Sequence, residues 1–372
     1  MNQLTRRTVT ACLCTMWIWL LASGCKKEEA SPGEPAGTST AQPAPGSPGS
    51  ATPAGGARLS VASYDPTREL YVELDQAFEK HWQTRTGQVV DVETDHDASG
   101  KQSRDIVNGK PTDVAALSVS IDIDNIAKAG LMATDWRTRQ PNGSVPYVSA
   151  VIFMVRKGNP KSIRDWEDLA RPDVSALAPD PKTGGGARWI YLATWAHALR
   201  KAKAEGKSDA EAEQAARAFT AQVYDQAILD IAMRRSSNRF LQQEEGDVLF
   251  GWENEILQIV NDPATQGKYE TVIPSDSIAI EVPIAVVDKN ADQHGVRALA
   301  DAYVQYHFSD EGQELIARRY NRPYSKAVAD RHADKLPPLA LYRFSEHFTD
   351  WPTVTKTHFA QGGELDQMRK AQ

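Results

Sequence analysis

The chain has 372 residues, with 42 Lys and Arg against 49 Asp and Glu for a net charge of −7, and 41% of its residues are hydrophobic. That length exceeds what one hydrophobic core usually holds, so more than one folded unit is expected. The acidic balance argues against nucleic acid as a partner, because phosphates need basic patches, and the three cysteines (Cys12, Cys14, Cys25) leave everything beyond Cys25 without disulfides, thiolate metal sites or thiol nucleophiles.

Arg6 and Arg7 precede a nearly uncharged run, Val9 to Ala22, that is too short to span a bilayer comfortably and is followed by small residues. Leu21-Ala22-Ser23-Gly24-Cys25 resembles the lipobox of bacterial lipoproteins, in which the thiol is acylated and becomes the mature N-terminus. Residues 1–25 are therefore expected to be a signal peptide ending at a lipid anchor, Cys25. A plain secretory signal is the alternative, and Thr5-Arg6-Arg7 also suits twin-arginine export. Residues 26–58 are dominated by Ala, Pro, Gly, Ser and Thr, a composition that buries too little apolar surface to fold. This stretch is expected to be a disordered tether with a reach of about 30 Å.

The remaining 314 residues, 59–372, keep 37 basic and 46 acidic side chains once the five and three before Leu59 are set aside, a charge of −9. Any anion site in such a body must be local, made from amide dipoles rather than bulk charge. Leu59 to Ser63 reads as a strand. In Thr67 to Thr86 the spacing of Leu70, Leu74 and Phe78 predicts a helix, with Gly87 at its C-terminal cap. A strand at Val89 to Glu93, a helix at Ser99 to Asn108 and a strand at Asp113 to Val119 follow. Then come a strand at Val148 to Val155, a helix opened by Ser162, a strand at Val174 to Ala178 and a long helix at Gly185 to Lys203. This alternation predicts an α/β fold with mostly parallel sheets flanked by helices. The long apolar stretches Val148–Val155 and Ile278–Val287 read as two hinge strands. They divide the body into one lobe of residues 59–147 plus 285–372 and a second of residues 148–284, with a cleft between them.

Three strand-to-helix junctions can seat an anion on free N–H groups and the positive end of a helix dipole. They are Asp95-His96-Asp97-Ala98-Ser99-Gly100-Lys101-Gln102, Pro181-Lys182-Thr183-Gly184-Gly185-Gly186-Ala187-Arg188-Trp189 and Met233-Arg234-Arg235-Ser236-Ser237-Asn238. An ordinary capped helix start is the plain alternative for each. No Gly-Lys-Ser/Thr closes either glycine-bearing junction, so neither is a Walker loop. Trp252 adds a donor that cannot accept, which suits a fully deprotonated anion, although most tryptophans belong to cores. The eight histidines show no metal-ligand spacing, no Gly-x-Ser-x-Gly elbow exists, and Asp122/Asp124 read as solvated charges at a helix start. No metal, cofactor or catalytic residue is expected, and a secreted hydrolase is the alternative of a different class.

Ser63-Tyr64-Asp65-Pro66-Thr67-Arg68-Glu69-Leu70-Tyr71 resembles the opening of the sulfate/thiosulfate-binding proteins of bacterial ABC importers. So do Ser99-Gly100-Lys101-Gln102, Val155-Arg156-Lys157-Gly158-Asn159-Pro160, Gly185-Gly186-Ala187-Arg188-Trp189 and Trp252-Glu253-Asn254-Glu255, in that order from Val61 to about Gly363. The resemblance implies a two-lobed type II periplasmic binding fold that closes on a dehydrated dianion held by backbone N–H groups and neutral donors. It implies ligand contacts from Ser99 and Gly100 in the first lobe and from Thr183, Gly184, Gly185, Gly186, Met233 and Trp252 in the second. It also implies a monomer whose partners are sulfate or thiosulfate and the membrane subunits of an importer. Phosphate or another tetrahedral oxyanion is the runner-up ligand. Two positions depart from the family pattern. Gly184 stands where the family has serine, so Thr183 is the expected replacement donor. Asp97-Ala98 replaces a glycine pair, and Asp97 is expected to be neutralised by Arg235 or Arg239 away from the anion, or else to select a protonated one.

Overall fold

The computed structural model describes residues 56–370. The signal segment, Cys25 and the tether up to residue 55 lie outside the described residues. The chain opens with β1 (Ala57–Tyr64) and α1 (Arg68–Thr86), whose Leu70, Leu74 and Phe78 point inward as their spacing requires. Gly87 ends α1 in the left-handed region (φ 74°), its N–H donating to Gln83 O at 2.8 Å. β2 (Val90–Asp97), α2 (Ser99–Val107), β3 (Val114–Ala116), α3 (Ser120–Lys128) and the short α4 (Pro141–Ser144) follow. β4 (Tyr147–Ser149) and β5 (Val151–Arg156) come next, then β6 (Ala176–Pro179), α5 (Gly185–Ala204), α6 (Asp209–Asp225), β7 (Ala227–Asp230), α7 (Met233–Gln242), β8 (Val248–Trp252) and α8 (Glu253–Asn261). The chain continues through β9 (Tyr269–Val272), β10 (Asp276–Ile278), β11 (Ile280–Glu281), β12 (Ile284–Val286), α9 (Asp288–Gln293), α10 (Arg297–Tyr306) and α11 (Asp310–Arg318). It ends with β13 (Arg322–Pro323), α12 (Lys326–Arg331), β14 (Ala340–Tyr342), α13 (Trp351–Val354) and α14 (Glu364–Lys370).

These elements make a two-lobed α/β fold. One sheet has the order β12-β3-β1-β2, with β1 parallel to both β2 and β3 and β12 antiparallel at the edge. The other has the order β7-β6-β8-β5-β9, in which β6 runs parallel to β7 and β8, while β5 is antiparallel to β8 and β9. Two small sheets, β11-β4-β13 and β10-β14, lie where the chain passes from one large sheet to the other.

Both expected hinge strands are divided. The first breaks at Ala150, whose carbonyl accepts Glu253 N at 2.8 Å, so that β4 and β5 join different sheets. The second breaks around Ala279 and at Val282-Pro283, where proline has no N–H for a ladder. Ser162 does not open a helix: it occupies a turn at φ 53°, and a 3₁₀ helix begins later at Trp166 behind a capping box set by Asp165. Residues 340–370 pack on the second sheet's helices. Trp351 meets Trp189 edge-on at 4.9 Å, and His358 meets Trp195 at 4.6 Å. That cover accounts for the burial of α5 on almost every side from Gly185 to Leu199.

Candidate functional site

The carboxyl ends of β1, β2, β3, β6, β7 and β8 face a common region, and α2, α5 and α7 each start there. In open α/β sheets this is where ligands sit. α2 starts at Ser99 after Ala98, whose extended backbone (φ −60°, ψ 130°) takes the N-cap position. Its first recorded intrahelical bonds are Lys101 N and Gln102 N to Ala98 O, so the Ser99 and Gly100 N–H groups lie ahead of the ladder. α5 starts at Gly185 after an extended Gly184, and α7 at Met233 after an extended Ala232.

The starts of α2 and α5 touch. A β-carbon on Gly185 would lie 3.6 Å from Ser99 Cβ and 2.7 Å from Ser118 Oγ, and one on Gly186 would lie 1.8 Å from the Tyr64 hydroxyl. These two positions require glycine because side chains from the first sheet lie directly against the helix start. Trp189 Nε1 donates to Ser118 O at 2.6 Å, closing the same contact from one turn further along α5. Beside it a cavity of about 340 Å³ opens, lined among others by Gly100, Asp122, Thr183, Gly184, Gly185 and Arg188. Met233 lies further off, packed by its methyl group against Gly251 at the end of β8.

Several expected donors are already engaged. Ser99 Oγ donates to Asp122 Oδ2 at 2.5 Å and accepts from Ser118 N at 3.1 Å, so its hydroxyl is committed within the protein. Thr183 does not replace a missing hydroxyl: its Oγ1 bonds the carbonyls of Asp180 and Ile231, both at 2.8 Å. The Trp252 indole N–H goes to Gly186 O at 3.1 Å, in a side chain that is fully buried, with the Tyr64 ring 5.2 Å away. The indole is thus a brace on the first turn of α5.

The expected partners of Asp97 are also corrected. Arg235 Nε pairs with Asp230 Oδ1 at 2.9 Å, and Arg239 pairs with Asp230 and Glu245. Asp97 meets Lys101 at 2.9 Å and accepts Ala98 N at 2.7 Å. Despite partial desolvation, those two donors hold its carboxyl below the usual range. The neutralising cation is four residues further along the chain, in the first turn of α2, just beyond the strand that Asp97 ends.

Asp122 overturns its reading as a solvated charge. It is 8% exposed, and burial raises its carboxyl while the Ser99 hydroxyl and the charges of Arg188 and Arg104 oppose that rise. Arg188 reciprocally has its guanidinium pushed down by burial, partly offset by Asp122. Tyr64, Ser118, Asp122 and Arg188 are the residues that sequence reasoning missed. Tyr64 and Arg188 stood within motifs already noted, whereas Ser118 lay inside the expected strand Asp113 to Val119, which in the structure ends earlier, at Ala116. Glu253-Asn254-Glu255 serves the frame. Arg322 grips buried Glu253 bidentately at 2.7 Å, and Asn254 accepts from Ser149 Oγ and donates to Pro66 O. Among the described residues no cluster of three or more His, Cys, Asp or Glu could hold a metal ion.

Residues 59–320 match the family described as bacterial extracellular solute-binding protein. The chain belongs to that family. It is 43% identical over 313 residues to the sulfate-binding protein of Escherichia coli, covering 84% of this chain and 93% of that one. It is 39% identical over 312 residues to the thiosulfate-binding protein of Pseudomonas aeruginosa, covering 83% and 91%. The solved structure of the sulfate-binding protein SubI from Mycobacterium tuberculosis superposes with a TM-score of 0.70 at 30% identity, over 82% of this chain and all of that one. These relatives are solute-binding proteins rather than enzymes. Among the described residues no helix is long and apolar enough to cross a membrane.

Proposed function

We propose that this chain is an extracytoplasmic binding lipoprotein that captures sulfate or thiosulfate and delivers it to an ABC importer, without catalysis. The observation that carries this reading is the contact of two helix starts, at Ser99 and Gly185, from opposite sheets, with the nearest carboxylates held by other groups. Sulfate near neutral pH has only acceptors, so it is matched by N–H groups and neutral hydroxyls and needs no salt bridge. The N–H groups of Ser99, Gly100, Gly185, Gly186 and Met233 are the proposed ligands. Thr183, Gly184 and Trp252 shape the start of α5 around them. The sulfate- and thiosulfate-binding relatives support the same ligand class.

The lobes are proposed as residues 59–147 plus the returning chain from 285 on one side and 148–284 on the other, with 340–370 strapped across the second. Cys25 is proposed as the membrane anchor, the body as a monomer, and importer subunits as its protein partners. The test is calorimetry on the purified full chain with sulfate, thiosulfate and phosphate at pH 8. Sulfate should bind at least about tenfold tighter than phosphate, because the phosphate O–H finds no free acceptor. Asp97→Asn should keep that order, since Asp97 is paired with Lys101. Tight phosphate binding that disappears in Asp97→Asn, with sulfate binding gained, would make phosphate the ligand.

A further inference from the structure

Ser118, which follows β3, is fully buried, and its hydroxyl has no hydrogen-bond partner among the described residues. Its own backbone groups and the neighbouring Ser99 hydroxyl are engaged. Its N–H donates to Ser99 Oγ, its carbonyl accepts Trp189 Nε1, and the Ser99 proton goes to Asp122. The orphaned Oγ is directed at the first residue of α5, 2.7 Å from the place a Gly185 β-carbon would occupy. Native interiors seldom leave a buried hydroxyl unbonded unless water or a ligand completes it. Here the neighbours are the N–H groups that open α5, which also lack intrahelical partners. A group that completes all of them must be rich in acceptors and must carry no proton that needs one.

We propose that Ser118 Oγ is a further ligand-binding residue, donating its proton to one oxygen of a tetrahedral oxyanion seated at the starts of α2 and α5. The proposal rests on the oxyanion reading of this site. It explains how the first sheet can present a hydroxyl donor although Asp122 takes the proton of Ser99. It also explains why the donor is neutral: a hydroxyl bonds the anion without drawing a second carboxylate into the site, as a lysine or arginine in this buried place would.

The test uses the full chain and sulfate calorimetry, with thermal unfolding in the absence of sulfate. Ser118→Ala should weaken sulfate binding by about tenfold or more, the loss of a hydrogen bond to a charged group. Its unliganded midpoint should not fall, because the hydroxyl removed has no partner among the described residues. Adding Gly184→Ser in the same chain should recover much of the affinity. Gly184 is extended (φ −151°, ψ 148°), and its β-carbon would meet nothing within 4 Å, so the new hydroxyl arrives from the α5 side without a clash. Sulfate affinity within twofold of wild type in Ser118→Ala overturns the proposal while leaving the oxyanion reading intact. A fall in midpoint that Gly184→Ser corrects without restoring affinity makes Ser118 structural and also overturns it. A wild-type chain that binds no oxyanion removes both readings together.

Discussion

Gly186→Ala puts one methyl group where the structure has least room for it. The new carbon would stand 1.8 Å from the Tyr64 hydroxyl, 2.7 Å from Cζ and 3.2 Å from Cε1. Tyr64 cannot simply rotate away, being 7% exposed with its ring 5.2 Å from that of Trp252. Two routes of relief remain. Repacking Tyr64 inside the body should cost about 1–3 kcal/mol, as overpacked cores do. Alternatively the end of β1 withdraws from α5 and the cleft opens, which charges the same 1–3 kcal/mol to ligand binding, or roughly a 5- to 150-fold weaker affinity. The two are separated by measuring sulfate affinity and the unliganded thermal midpoint on one preparation. Opening lowers affinity with little change in midpoint, whereas repacking lowers the midpoint by a few degrees. Tyr64→Phe in the same chain removes the closest atom, although Cζ still lies within 3 Å, so it should relieve the defect only in part. Gly184→Ala should leave the midpoint unchanged, because its β-carbon meets nothing within 4 Å. A Gly186→Ala protein with wild-type affinity and midpoint would refute the close approach of β1 to α5.

Trp252→Phe removes the indole N–H that braces Gly186 O and leaves that buried carbonyl short of a donor, so unfolding stability should drop by about 1–3 kcal/mol; an unchanged denaturation midpoint contradicts the brace. Glu255 carries a pH dependence: burial lifts its carboxyl from 4.5 to about 7, so the folded state holds a proton that the unfolded state releases. Stability from this group is full below the unfolded value and declines as pH rises through about 7, by at most about 3 kcal/mol, and Glu255→Gln should flatten the pH profile between 4.5 and 7. Arg234, at the start of α7, reaches Asp65 at 3.4 Å and Glu69 at 3.2 Å beside the end of β1. Arg234→Gln should weaken sulfate binding by about two- to fivefold at low salt and by less than that at 0.5 M salt, a difference to be read by titration at the two ionic strengths. Cys25→Ala should move the protein from the membrane fraction to the soluble extracytoplasmic fraction, and a wild type that never pellets with membranes would refute the anchor.

The order of elements was legible along the sequence because it depends on local spacing. Leu70, Leu74 and Phe78 share a face at helical period, Gly87 suits the left-handed cap, and the run Gly184 to Gly186 marks a helix start. The N–H groups that open α2, α5 and α7 were legible for the same reason, since the first turn of any helix lacks partners whatever surrounds it. What surrounds it was decided only in three dimensions. Thr183, Trp252 and Ser99 read as free donors, yet Asp180, Ile231, Gly186 and Asp122 claim them, and those acceptors arrive from chain positions whose distance in space no local pattern encodes. Asp122 looked solvated because an acid in a first helical turn usually is, and the meeting of α2 and α3 buried it. Asp97 was expected to find a distant arginine but took the lysine four residues on, since a partner already within reach needs no long-range closure. Which side chain faces Gly185 depends on how the first sheet meets α5, and that meeting, set by tertiary packing, is what left the Ser118 hydroxyl without a partner among the described residues.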